Sequence, residues 1–83
     1  MDKAIDEEDK QKILKIIDAH PEIKKIQHFN STPVGYKYQI SFTIYVDGNL
    51  STFESHKIAN DLEKEIISKL DEVYLAVIHV NPI

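Results

Sequence analysis

The sequence predicts a two-layer α+β sandwich of order αββαβ, with a three-stranded mixed sheet and two helices on one of its faces. Three observations predict it. A helical apolar pattern near the start and another in the second half frame a strictly alternating run between them, and a β-branched stretch closes the chain. A three-stranded sheet has one face to offer two amphipathic helices, so the two layers follow from the element count. The arrangement is close to a ferredoxin-like unit without its first strand.

The first helix is expected at about 7 to 19. Ile13, Leu14, Ile16 and Ile17 recur at helical spacing among Lys12, Lys15 and Asp18. Glu7, Glu8 and Asp9 lie where the positive end of the helix dipole favours acids, and His20-Pro21 marks the exit. Ile23 to Asn30 is a weaker strand pattern that runs into Ser31-Thr32-Pro33. Because proline cannot donate a ladder hydrogen bond, the end of this strand is expected at an edge or just before a turn. After Gly35, Tyr36, Tyr38, Ile40, Phe42, Ile44 and Val46 alternate with polar residues, which predicts a long half-buried strand with Tyr36 at the head of its apolar face.

Asp47-Gly48-Asn49 supplies turn chemistry, and Ser51-Thr52-Phe53-Glu54 fits a capping box that opens the second helix. Ile58, Ala59, Leu62, Ile66 and Leu70 line one face of that helix, with Ile67 at the margin, to about residue 70. Val73 to Val80 is rich in β-branched and aromatic residues and closes at Asn81-Pro82, so it reads as a mostly buried central strand. The polar positions Gln39, Ser41, Thr43 and Tyr45 fall on the sheet face that carries no helix, which is a candidate dimer surface.

With 83 residues, 42% of them hydrophobic and 29% charged, the chain has the composition of one small folded domain. It contains no cysteine, which excludes a disulfide staple and thiolate metal sites. Fourteen acidic residues oppose ten basic ones, all of them lysine, for a net charge of −4. Without arginine forks and with an acidic balance, nucleic acid is not an expected partner. No stretch reaches the roughly 20 apolar residues of a membrane span. Nucleophile elbow, phosphate loop, dinucleotide fingerprint, HExxH and CxxC motifs are all absent, and the carboxylates sit mostly at helix-surface positions, so an enzyme is not expected.

Four histidines remain as candidate chemistry. His20 at the end of the first helix reads as structural, meeting the helix dipole and the last carbonyls. His28 lies in the first strand, His56 in the first turn of the second helix and His79 near the end of the last strand. None forms a local pair, and each taken singly reads as a surface or satisfied histidine before it reads as a ligand.

The run Ile40-Ser41-Phe42-Thr43-Ile44-Tyr45-Val46-Asp47-Gly48-Asn49-Leu50-Ser51, followed by Glu54-Ser55-His56-Lys57-Ile58-Ala59, resembles the C-terminal cytoplasmic domain of cation diffusion facilitator transporters. The preceding Ile26-Gln27-His28 and the closing Val77-Ile78-His79-Val80-Asn81-Pro82 fall in that family's order, so the resemblance covers almost the whole chain. It implies a metallochaperone-like fold, a homodimer and a zinc-like divalent cation, with metal regulating transport by an attached membrane domain. It further implies that residues 1–83 form a single cytoplasmic regulatory domain, with 1–6 as the linker from the membrane part. His28, His56 and His79 match the family's ligands in the first strand, the second helix and the last strand. Thr43 stands where metal-binding members often carry a histidine, and Asn81 where they often carry an aspartate. The alternative is a ferredoxin-like interaction or small-ligand module that pairs through its open sheet face and binds no metal.

Overall fold

A computed structural model describes residues 5–83. The expected linker at 1–6 therefore falls mostly outside the described residues. The elements are α1 (Glu7–Asp18), β1 (Ile23–Val34), β2 (Lys37–Val46), α2 (Thr52–Lys69) and β3 (Val73–Pro82), the predicted αββαβ order. The sheet is mixed. β1 and β2 form an antiparallel hairpin, and α2 carries the chain across to β3, which lies parallel to β2.

The core forms where the apolar faces meet. Ile13, Ile16 and Ile17 of α1 and Leu62, Ile66 and Leu70 at α2 pack with Ile40, Phe42, Ile44 and Val46 of β2. Val73 and Ala76 of β3 and Ile5 complete it. Ser51 caps α2 as its sequence requires: the Glu54 N–H donates to Ser51 Oγ at 3.0 Å, and the Ser51 N–H donates to Glu54 Oε1 at 2.9 Å.

Three expectations change. The strand order is β1-β2-β3, so β2 is central and β3 is an edge strand, half-exposed over much of its length. A continuous β-branched run signals strand without signalling rank in the sheet. Tyr36 does not head the apolar face, because it belongs to the hairpin turn beside Gly35 (φ 62°) and is fully exposed. β1 continues four residues past Asn30 and includes Pro33, which is tolerated on an outer strand next to the turn.

β1 also departs from period-two alternation. Its apolar residues Ile23, Ile26 and Phe29 come every third position, and the ladder with β2 shifts register once between Ile23 and Lys25 and again between Gln27 and Asn30. Each shift absorbs one extra residue, which keeps the next apolar side chain on the helix side of the sheet. At the second shift Phe29 stacks on Phe42 with ring centroids 6.0 Å apart, and His28 takes a positive φ of 60°.

Candidate metal centre

Residues directly opposite each other on adjacent strands share a face, so the ladder assigns the open side of the sheet. Gln27 of β1 lies opposite Thr43 of β2, and Thr43 lies opposite His79 of β3. Tyr45 lies opposite Asn81 one step further along. The sheet therefore brings Thr43, His79 and Asn81 onto its helix-free face, while His28 follows Gln27 inside the register shift and has no partner in the ladder. His28 and His79 are exposed, and their imidazoles are open to solvent. Thr43, opposite His79, is buried, the only buried polar residue among those described. Beside them, the Tyr45 hydroxyl donates to Gln27 Oε1 at 2.9 Å and the Lys25 ammonium sits 5.7 Å from the Tyr45 ring centre.

His56 is elsewhere. It is exposed and lies one turn into α2, lining a cleft of about 290 Å³ with Asp47, Ser55, Val80 and Pro82. Val80 and Pro82 lie opposite Ile44 and Val46 on the helix side of β3, the reverse of the face that carries His79 and Asn81. One chain thus separates His56 from the other expected ligands, and among the described residues no three histidines and carboxylates converge on a cation-sized space. Asp47, beside His56 in the cleft, is a carboxylate that the sequence pattern presents only as a turn residue. Its Oδ1 accepts the Asn49 N–H at 2.9 Å and leaves a second oxygen.

His20 is structural, with a partner other than the expected helix carbonyls. Its Nε2 lies 2.9 Å from Glu65 Oε1 of α2 and its Nδ1 lies 3.9 Å from Glu22, so it ties the α1–β1 connection to the second helix. Lys69, 2.8 Å from the other Glu65 oxygen, and His20 together hold the Glu65 carboxyl below the usual range. At the other end of α1, desolvation followed by the nearby Glu72 charge pushes Asp9 up.

The His79 imidazole and Thr43 hydroxyl on adjacent strands, with the His28 imidazole at the β1 register shift, suit a borderline cation such as zinc in kind and fall short of it in number. Tetrahedral coordination from these residues needs water or donors from a second chain.

The family model described as cation efflux protein, cytoplasmic domain, matches residues 5–83, and the chain belongs to that family. Protein p34 of Rickettsia prowazekii (strain Madrid E) and of Rickettsia rickettsii (strain Sheila Smith) are each 30% identical over 82 residues, 99% of this chain. The chain spans only 27% of the length of those relatives. Among solved structures, the metal-bound C-terminal domain of the CzcD transporter from Thermotoga maritima superposes with a TM-score of 0.87 at 27% identity, over 90% of this chain and 87% of that one. The cytosolic domain of a cation diffusion facilitator family protein gives 0.85 at 26%, over 89% and 88%. A nickel form of a MamM C-terminal domain variant, 15% identical with a TM-score of 0.84 over 94% and 99%, shares the fold.

Proposed function

We propose that this chain is the metal-sensing dimerisation domain of a divalent-cation efflux transporter, joined through a linker around residues 1–6 to a membrane domain that precedes it. Zinc or a similar cation is its ligand, and a second copy of the chain is its partner. One observation supports the reading: the exposed His79 lies opposite Thr43 on a face that no helix covers, and the exposed His28 adjoins Gln27, which lies opposite Thr43 on the other side. The C-terminal place and bound metal of the CzcD domain support the same assignment.

The residues act in two ways. His28 and His79 offer neutral imidazole nitrogens, Thr43 and Asn81 weaker oxygens, and His56 with Asp47 a separate pair at the end of the sheet. Since one chain leaves either set short of four donors, a cation is held best where two copies meet, and binding then couples to association. Two chains of net charge −4 repel, and a dication between them removes part of that repulsion. Nothing in this scheme requires turnover.

Calorimetric titration of the chain with zinc tests the reading, repeated on His79→Ala, His28→Ala and His56→Ala. Binding is expected to be micromolar or tighter, to be abolished by His79→Ala, and to weaken by at least about tenfold between about pH 7.5 and 5.5 as protons compete for imidazole. An affinity that stays flat over that range rules out histidine ligation. Thr43 and Asn81 at the two positions where the family often carries stronger ligands favour a second reading, in which the same face pairs two copies without metal. A dimer in ultracentrifugation with no heat of zinc binding selects it.

A further inference from the structure

We propose that the β1–β2 hairpin tip and the start of β3 form an aromatic foot that rests in the headgroup layer of a lipid bilayer. This rests on the reading above that a membrane domain precedes residue 5. Tyr36 at the tip is fully exposed (103%), Tyr74 is 58% exposed and Val34 is 42% exposed. They share one end of the molecule. Val34 pairs with Lys37 across the turn that holds Tyr36, and Tyr38 pairs with Val73, the neighbour of Tyr74. No atom lies within 4 Å of the Cβ position at Gly35, so the tip stands clear of the rest of the fold.

The chain also arrives at this end. The Ile5 N–H donates to Ser31 Oγ at 3.0 Å, and Ser31 lies three residues before Val34. At about 3.3 Å per strand residue, the point where the preceding chain joins is roughly 10 Å from Val34 at the base of the tip. A membrane anchor upstream of Ile5 therefore holds this end toward the bilayer, and the opposite end, with exposed Phe53 and Ile83, away from it.

The chemistry of the foot fits that place. Tyrosine has an apolar ring and a polar tip, and it concentrates where hydrocarbon meets headgroups. Charge argues against other occupants. Asp71 and Glu72 flank the start of β3 at the same end and outweigh Lys37, so neither a polyanion nor a second acidic copy is favoured there. Ring insertion needs no lipid charge, and a zwitterionic bilayer suffices.

The absence of cysteine and tryptophan makes the test clean. A cysteine added ahead of Met1 couples the chain to a maleimide lipid in phosphatidylcholine vesicles, and Tyr36→Trp supplies the sole indole. On vesicles its emission is expected to move to shorter wavelength and to lose most of its intensity to brominated lipid, equally at low and high salt. The matching Phe53→Trp chain, labelled at the far end, keeps its aqueous emission. An unchanged spectrum at position 36, or equal quenching at both positions, overturns the proposal. So does a blue shift without vesicles that grows with protein concentration, which identifies a second copy as the occupant. Zinc titration of the same tethered chain separates the two readings: zinc binding without lipid contact sinks only the foot, and lipid contact without zinc binding sinks only the metal site.

Discussion

His28 combines a strained backbone with an exposed imidazole. A positive φ costs an L-residue about 1–2 kcal/mol, less for histidine, asparagine and aspartate than for branched residues. The bulge that imposes it lets Phe29 reach Phe42 from the correct side of the sheet, so packing holds the strain in place. His28→Gly is accordingly expected to leave the melting temperature unchanged or slightly raised, whereas His28→Val lowers it by about 4–8 °C for each kcal/mol of added strain. Calorimetric melting of the two variants decides it, and a glycine variant that melts as low as the valine one removes the strain argument. The histidine itself is legible in the sequence as a candidate ligand. Its conformation is also written there, in the three-residue spacing of Ile23, Ile26 and Phe29, but an alternation template passes over that spacing as weak strand.

At the scale of elements, α2 is the most legible part of the chain because its signals are local. Ser51 and Glu54 fix its start, and Leu62, Ile66 and Leu70 mark its buried stripe at single-turn spacing. The place of β3 is not legible, since hydrophobic content reports burial while strand order depends on which edge the crossover helix reaches. Contacts between distant residues are equally hidden, and the joint from His20 to Glu65 spans 45 positions. That joint carries a pH signature. The Glu65 carboxyl is held below its ordinary value of 4.5 by Lys69 and His20, so its ionised form is favoured by folding. Its contribution is complete above the ordinary value and is lost as pH falls through the lowered one. Urea unfolding of wild type and Glu65→Gln should therefore differ near about pH 6 and converge as pH falls through the lowered carboxyl value, with wild type the more stable where they differ. A difference that grows on acidification contradicts the ion-pair account.

Taken whole, the molecule has one core, formed where the helices meet the sheet. At roughly 0.05–0.15 kcal/mol per residue, a chain of this size holds about 4–12 kcal/mol of stability. Leu62 is fully buried, and Leu62→Ala is expected to remove about 2–5 kcal/mol and to depress the melting temperature by at least about 10 °C. Zinc at about a hundred times its dissociation constant returns about 2.7 kcal/mol if it binds only the folded state. The Leu62→Ala chain should thus regain much of its thermal stability in zinc, and the Leu62→Ala, His79→Ala double variant should not. Equal recovery in both, measured by scanning calorimetry, places the metal somewhere other than the open face. The overall αββαβ plan is readable from periodicity alone, whereas the separation of His56 from His79 follows from which face each strand residue takes in the assembled sheet.

Both outer strands of the sheet are interrupted. β1 carries two register shifts and Pro33, and β3 carries a shift near Tyr74 and ends in Pro82. Interrupted borders are poor templates for a further strand, so copies of this domain are discouraged from stitching into a continuous ribbon. Pairing through the broad face of the sheet, as proposed above, is by contrast finite, because each molecule has one such face to give.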